Sequence, residues 1–259
     1  MPNPIITVQN LYVTVKGTGQ EIVENVNFSV ESESVTALVG GSGSGKTTTA
    51  MAILKLLSPA LAVTTGQILY KGYNLTEFSE SKMQEIRGKE VGVVFQEPLY
   101  AFNPVFTIGA QIQEVLRFHT RLTSIQREDK VLDLLDLVGL PNPKRVRDSY
   151  PHQLSGGMRQ RAMIAQAIAA DPQLIIADEP TSSLDVTLQA KIIELFQELK
   201  HKLKLSIILI SHDMGMVKHL SDDVVVMQEG CVVEVGKTED IIKKPNHDYT
   251  KKLVKAAGY

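Results

Sequence analysis

The sequence predicts an α/β protein with a mostly parallel sheet, and three observations support that fold class. The apolar run at residues 35–39 is typical of a buried central strand, and a glycine-rich loop follows it directly. Further apolar runs alternate with stretches in which apolar residues recur at helical spacing. Such alternation of strand and helix is typical of a parallel sheet covered by helices.

The first part of the chain predicts an antiparallel β subdomain. Apolar and polar residues alternate at 5–15 and 21–30, as they do in half-exposed strands. After the central strand, we expect strands at 67–70 and 91–95 on either side of a helix at 79–87. The remaining expected elements are strands at 174–177, 206–210, 224–227 and 232–235 and a helix at 187–203.

A helical subdomain is expected between these groups of strands, because the apolar spacing changes there to that of helices. We place it at about 97–172, inserted in one domain that spans residues 1–259. The residues with this spacing are Ile108, Ile112, Val115, Leu116, Val131, Leu134, Leu135 and Val138.

The loop after the central strand, GGSGSGKT at residues 40–47, fits the phosphate-loop pattern GxxxxGK[ST]. Its glycines let the backbone curl so that N–H groups face phosphates, and a helix expected to begin near Gly45 adds its positive end. Lys46 supplies a positive charge, and the Thr47 hydroxyl can bind Mg²⁺. The pattern predicts a nucleoside triphosphate site; a Gly/Ser-rich linker is the alternative.

Two carboxylates, Asp178 and Glu179, end the strand expected at 174–177. Ligands bind at the carboxyl ends of parallel strands, so Asp178 is expected near the phosphate loop, where it could hold Mg²⁺ through water. Glu179 could accept a proton from the attacking water or orient it. Considered alone, the pair could equally be a strand that ends in a solvated acidic turn.

Further segments complete a set whose order and spacing resemble the ATP-binding cassette (ABC) ATPases along nearly the whole chain. Gln96 follows one strand, LSGGM at 154–158 precedes a helix, and Ser-His-Asp at 211–213 follows another strand. In that family they are the Q-loop, the signature motif and the switch histidine, and residues 183–185, ending in Asp185, are the D-loop. Singly, they could be a surface amide, a helix cap with a flexible turn and a core histidine.

The resemblance implies an ATP hydrolase of the ABC ATPase fold that uses ATP and Mg²⁺. In the family, Ser155, Gly156 and Gly157 complete the ATP site of the opposite subunit in a head-to-tail dimer, and Ser155 can also cap its own helix. The expected catalytic residues are Glu179, His212 and Lys46, and the expected Mg²⁺ ligands are Thr47, Gln96 and Asp178. The expected ATP-binding residues are Gly40, Gly41, Ser42, Gly43, Ser44, Gly45, Lys46, Thr47, Thr48 and Gln96.

Several segments resemble the oligopeptide, dipeptide and nickel import branch of the family. They are Ala-Phe-Asn-Pro at 101–104, Tyr-Pro-His-Gln at 150–153, Met158 and Pro-Asn-His-Asp-Tyr-Thr at 245–250. The stretches ALVGGSGSGK and IIADEP, and the end of the sequence at Tyr259, favour the nickel or metal-chelate members. The resemblance implies an ATPase subunit of an importer, located peripherally on the cytoplasmic face of the membrane.

The implied partners are two membrane-spanning permease subunits and a second ATPase subunit, either a copy or a paralogue. An extracytoplasmic substrate-binding protein would act indirectly. A net charge of −2 gives no electrostatic reason to expect nucleic acid as a partner. Cys231 is the single cysteine, which excludes disulfides within the chain and clusters held by several cysteines.

Two positions differ from the family pattern. Val15 stands where an adenine-stacking aromatic is usual, and Tyr12 is expected on the opposite strand face. Glu33-Ser34 replaces a Gly-Glu turn, which must therefore form without glycine. Two alternatives remain: a nucleotide-gated clamp on nucleic acid or ribosomes, opposed by the single-cassette length, and a cassette that binds ATP without hydrolysis, opposed by Glu179 and His212.

Overall fold

The computed structural model describes residues 4–182 and 184–259. The chain forms two compact units: the first comprises Met1–Met83 and Lys204–Tyr259, and the second comprises Gln84–Leu203. The strands are β1 Pro4–Val15, β2 Glu21–Glu31, β3 Val35–Val39, β4 Leu61–Tyr70, β5 Tyr73–Asn74, β6 Val91–Val94, β7 Leu174–Asp178, β8 Ser206–Ser211, β9 Asp223–Gln228 and β10 Cys231–Lys237. The helices are α1 Lys46–Ile53, α2 Glu80–Ile86, α3 Pro98–Ala101, α4 Ile108–His119, α5 Ser124–Leu137, α6 Pro143–Asp148, α7 Gly156–Ala167, α8 Val186–Leu203, α9 Met214–Leu220, α10 Thr238–Lys243 and α11 Asp248–Ala256.

The antiparallel β subdomain is confirmed in the first unit, where the strands pair in the order β2-β1-β4-β5. The strand β4 differs most from its expected bounds, because it begins at Leu61 instead of residue 67. None of its first five residues is fully buried, so this half lacks a burial signal, but it pairs with β1, as in Val13 opposite Val63. Backbone pairing with a neighbour therefore extends this strand beyond what the side chains predict.

The first unit also contains the expected parallel strands. The central strand β3 pairs in parallel with β8 on one side and with β9 on the other, and β10 then runs antiparallel to β9. All residues of β3 and β8 are buried, which explains their mostly apolar sequences. This sheet places the carboxyl ends of β3 and β8 side by side.

Glu33 makes the turn between β2 and β3 with a left-handed backbone, at a φ of +59°. Its N–H donates a hydrogen bond of 2.9 Å to Ser206 Oγ. A side chain disfavours this region of backbone space, which explains why glycine is usual at such a turn. The expectation that the turn forms without glycine is therefore confirmed.

In the second unit, β6 and β7 pair in parallel, and most of the remaining residues are helical. Two helices begin at threonine caps: Thr107 Oγ1 caps α4, and Thr123 forms a capping box with Gln126 at α5. The predicted insertion at 97–172 lies within this unit, which also includes β6, β7 and α8. The apolar residues that predicted the helices are buried except Val115, which is half-buried.

Within the described parts of the chain, none of the helices combines the length and the apolar character that crossing a membrane requires.

Candidate active site

The predicted phosphate loop connects β3 to α1 in the first unit. Three of its glycines, Gly40, Gly43 and Gly45, have φ values of +154°, +76° and +94°. A Cβ on Gly40 would lie 2.1 Å from the carbonyl oxygen of Met227, so only glycine fits there. Helix α1 begins at Lys46, as the expectation of a helix start near Gly45 requires. The loop thus curls in the way that its glycines predict.

The side chain of Lys46 lies buried within this loop. Its Nζ donates hydrogen bonds to Gly40 O at 3.0 Å, to Gly41 O at 2.8 Å and to Ser44 Oγ at 3.3 Å. These hydrogen bonds hold the ammonium group within the loop. Ser42, Gly43 and Thr47 are exposed, and Thr48 is half-buried, so the loop presents an open surface around this charge.

His212 lies beside the phosphate loop in the same unit, because β3 and β8 are paired with Val39 opposite Ser211. The side chain of His212 is exposed. Its neighbours fix its backbone: Asp213 N–H donates to Ser211 Oγ at 3.0 Å, and Asp213 Oδ1 accepts from the N–H of Gly215 at 2.7 Å. The first unit thus brings together the phosphate loop and the predicted switch histidine.

The second unit brings together three other predicted residues at the ends of β6 and β7. Gln96 Nε2 donates a hydrogen bond of 2.9 Å to Glu179 Oε2. The two strands are paired with Val94 opposite Ala177, so both residues follow their strands at the same edge. Asp178 is buried as the last residue of β7, whereas Glu179 is half-buried and Gln96 is exposed.

Glu179 has a left-handed backbone conformation, with a φ of +43°. Such a conformation costs a residue with a side chain about 1–3 kcal/mol, so the surrounding structure must hold it. The backbone after it holds this turn: Glu179 O accepts from Ser182 N at 3.2 Å and from Ser182 Oγ at 3.1 Å. The turn directs the Glu179 side chain back towards Gln96.

The signature residues form the N-terminal end of α7. Ser155 is the N-cap, and its Oγ accepts a hydrogen bond of 3.3 Å from Met158 N–H, which confirms the predicted cap. Gly156 is exposed, whereas Gly157 is buried, and a Cβ there would lie 3.2 Å from Leu188 Cδ1 in α8. Glycine at 157 therefore lets α7 pack against α8 while Ser155 and Gly156 stay open to solvent.

Asp185 of the predicted D-loop caps α8, since its Oδ1 accepts from Leu188 N–H at 3.0 Å. Its side chain is exposed, and Leu184 beside it is half-buried. Ser183, also expected in the D-loop, lies outside the described residues.

One residue that sequence reasoning did not connect with the site is Tyr249, at the start of α11. Its hydroxyl oxygen accepts a hydrogen bond of 2.7 Å from the N–H of Gly41 in the phosphate loop. In the sequence analysis, residues 245–250 served only to indicate the subfamily. A tyrosine in this polar segment could have suggested a tertiary contact, since the hydroxyl of a tyrosine that is not fully exposed tends to find a hydrogen-bond partner.

The comparisons with known proteins agree with this geometry. The profile of the family described as ABC transporter matches residues 23–182. The chain belongs to the ABC transporter family. Oligopeptide transport ATP-binding protein OppD of Bacillus subtilis (strain 168) is 44% identical over 249 residues, which are 95% of this chain and 70% of that protein. Dipeptide transport ATP-binding protein DppD of the same strain is 44% identical over 253 residues, 96% of this chain and 76% of that protein.

Two solved structures share the fold. The dimeric ATP-binding cassette MJ0796 bound to ADP and Pi has a TM-score of 0.80 and 26% identity, covering 90% of this chain and 98% of that one. The cassette cbiO1 from Clostridium perfringens, part of the transporter complex cbiONQ, has a TM-score of 0.81 and 25% identity, covering 93% of this chain and 92% of that one.

The predicted α/β fold of the ABC ATPases is therefore confirmed, and so is the resemblance to the oligopeptide and dipeptide subfamily. The protein binds ATP and is an ATP hydrolase of the ABC transporter type. The narrower resemblance to nickel-import subunits stays a prediction, as do the roles of the individual site residues.

Proposed function

We propose that this chain is the ATP-hydrolysing subunit of an importer that takes up peptides, acting on the cytoplasmic face of the membrane. The observation that carries this proposal is the identity of 44–46% to proteins named as peptide import subunits over nearly the whole chain. A second support is the set of subfamily segments, including residues 150–153 and 245–250. Nickel or another metal chelate is the other cargo that the sequence suggests.

The phosphate loop would bind the triphosphate of ATP. Lys46 supplies the positive charge, and the contacts of its Nζ with Gly40 O and Gly41 O keep that charge at the loop. The N–H groups at the start of α1 add the positive end of the helix dipole. These groups bind and orient the phosphates whatever the attached base.

The donor set proposed for Mg²⁺ consists of the Thr47 hydroxyl, the Gln96 side-chain carbonyl and the Asp178 carboxylate. All three are oxygen donors of the kind that Mg²⁺ prefers, so the residues fit the ion. Gln96 Nε2 donates to Glu179, which leaves the carbonyl end of the amide as the one to face a cation. Bound Mg²⁺ would neutralise charge on the phosphates.

Glu179 would act on the water that attacks the γ-phosphate, either by accepting its proton or by orienting it. The hydrogen bond from Gln96 holds one oxygen of this carboxylate and so fixes the orientation of the group. His212 would contact the γ-phosphate through its exposed imidazole. Together these residues supply orientation and electrostatic stabilisation where charge develops during hydrolysis.

The complete site would form in a head-to-tail dimer with a second ATPase subunit, either a copy or a paralogue. The exposed Ser155 and Gly156 support this proposal, because they leave the N-terminal end of α7 open to an anion from another chain. Two permease subunits would contact the helices of the second unit. Large apolar side chains are exposed there, namely Leu99, Tyr100, Val105, Phe106 and Phe118.

The test is reconstitution of the chain with its permease subunits in lipid vesicles. ATP-dependent accumulation of a labelled peptide is expected, together with a higher ATPase rate than the chain has alone. Glu179→Gln is the control, because it should retain ATP binding and lose accumulation. Uptake of nickel without peptide would reassign the cargo, and an ATPase rate that ignores the permease subunits would favour the clamp.

A further inference from the structure

The proposed hydrolysis leaves the C-terminal segment of the chain without a role. This segment includes residues 245–250 and helix α11, and it belongs to the same compact unit as the phosphate loop. Its one described contact with the loop is the hydrogen bond of 2.7 Å from Gly41 N–H to Tyr249 Oη. A half-buried tyrosine thus reaches the second residue of the loop.

This hydrogen bond acts on a peptide group that Lys46 also holds. The peptide between Gly40 and Gly41 carries the carbonyl oxygen of Gly40 and the N–H of Gly41. Lys46 Nζ donates to that oxygen at 3.0 Å, and the N–H donates to Tyr249 Oη. In a trans peptide these two groups point in opposite directions. The two bonds therefore fix the plane, with its carbonyl towards Lys46 and its N–H towards α11.

An anchor matters at this position because the peptide joins two glycines. Gly40 has a φ of +154°, which a residue with a side chain would rarely adopt. Glycine rotates between backbone conformations at low cost, so the plane has little resistance of its own. Rotation would turn the carbonyl away and remove one of the hydrogen bonds that hold the Lys46 ammonium group.

Tyr249 is itself held by contacts with β10. The carboxylate of Glu234 accepts hydrogen bonds from the N–H groups of Asn246 at 2.8 Å and His247 at 3.0 Å. His247 Nδ1 in turn accepts from Tyr249 N–H at 3.2 Å and so caps α11. Because β10 pairs with β9 and β9 with β3, the anchor and the loop are built on one sheet.

We propose that Tyr249 is a positioning residue for ATP binding, which it supports through the Gly40–Gly41 peptide. Its hydroxyl keeps the loop in the conformation in which the carbonyl oxygen of Gly40 accepts a hydrogen bond from Lys46 Nζ. A site that is ordered in advance loses less conformational freedom when the ligand binds, and its affinity is higher for that reason. The proposal rests on the proposed role of the loop as the ATP site.

The test is Tyr249→Phe, which removes the hydroxyl and keeps the ring. Tyr259→Phe is the matched control, because it removes a hydroxyl from the same terminal segment. It keeps the ring, whose centroid lies 4.2 Å from Lys218 Nζ. Loss of one hydrogen bond predicts that the ATP dissociation constant of Tyr249→Phe rises about three- to tenfold. The rate at saturating ATP should stay within about twofold, because Tyr249 does not act on the reacting atoms.

A second measurement reports on the contact without nucleotide. In protein labelled with ¹⁵N-glycine, the Gly41 amide should exchange with solvent about tenfold faster or more in Tyr249→Phe than in the wild type. Tyr259→Phe should match the wild type in both measurements.

Three results would overturn the proposal: unchanged Gly41 exchange, unchanged ATP affinity despite faster exchange, or equal losses of affinity in both tyrosine variants. Failure of the ATP site itself would look different. Lys46→Ala would then bind ATP as the wild type does, whatever the exchange rate of Gly41.

Discussion

Gln96 and Glu179, separated by 83 positions in sequence, are joined by a hydrogen bond of 2.9 Å in which the amide nitrogen donates to the carboxylate. The amide nitrogen is therefore engaged with the proposed base, and the amide oxygen is the atom that would bind the proposed metal ion. A single residue can thus respond to both the ion and the carboxylate, and exchanging its two ends would break both interactions.

Glu179→Gln should separate binding from hydrolysis. The variant keeps the size of the side chain and can still bond to Gln96, but it removes the proposed base, so turnover should fall about a hundredfold or more. ATP should still bind and should hold the dimer closed, so the variant should elute earlier than the wild type from a sizing column with ATP. The control is Glu194→Gln, at an exposed position in α8. Wild-type turnover in Glu179→Gln would exclude a catalytic Glu179.

Lys46→Ala should weaken ATP binding by about tenfold or more and abolish hydrolysis, because it removes the charge held at the phosphate loop. The fold should persist, and circular dichroism can check this. Lys191→Ala, which removes an exposed lysine from α8, is the matched control. ATP affinity by calorimetry that equals that of the wild type would contradict the assignment of the loop.

The nucleobase should be weakly selected if Val15 replaces the usual aromatic. Phosphate contacts carry no information about the base, so GTP and ATP should compete within about tenfold, equivalent to about 1.4 kcal/mol. Val15→Tyr should increase the preference for ATP. A preference of several hundredfold in the wild type would instead show that another aromatic side chain, such as Tyr12 or one from a partner, covers the base.

Replacing Glu33 with glycine should stabilise the protein. Its left-handed φ of +59° is unfavourable for glutamate and readily adopted by glycine. The strain that glycine relieves in the folded state should exceed the conformational entropy that glycine adds to the unfolded chain. We expect Glu33→Gly to be about 0.5–1 kcal/mol more stable to urea than Glu33→Ala, which keeps the unfavourable conformation. Equal stabilities of the two variants would show that the turn is not under strain.

The anchoring of α11 should depend on pH through Glu234. Burial raises the pKa of this carboxyl group, but the hydrogen bonds that it accepts, including those from the backbone of Asn246 and His247, outweigh burial and hold the pKa below its ordinary value of 4.5. A carboxyl pKa that is lower in the folded state contributes stability above its ordinary value and loses it as the pH falls through the folded value.

Urea denaturation of the wild type and of Glu234→Gln should therefore differ most near neutral pH, with the wild type more stable. The difference should shrink as the pH falls below 4.5. A difference that stays constant down to acid would show that the charge of Glu234 does not hold the segment.

The positions of most strands and of the site motifs could be predicted from sequence because they depend on local patterns. Apolar runs identified β3, β7 and β8, and the pattern of glycines identified the phosphate loop. The contacts that were missed join distant positions: Gln96 to Glu179 across two strands, and Tyr249 to Gly41 across 208 positions. No local periodicity reports such pairs, because they form only when segments that are distant in sequence come together in the folded chain.

In the proposed head-to-tail dimer, the side-chain oxygen of Ser155 would serve two chains. A lone pair of this oxygen accepts the hydrogen bond from Met158 N–H. The hydroxyl hydrogen can rotate about the Cβ–Oγ bond and donate a hydrogen bond to another group. Aspartate caps helices about as well as serine, but it has no hydrogen to donate and carries a negative charge. Helix stability alone would therefore permit aspartate at this position, whereas an anion brought by another subunit would be repelled. Serine at position 155 therefore suits both the helix cap and the proposed contact with an anion of another subunit, whereas aspartate would suit only the cap.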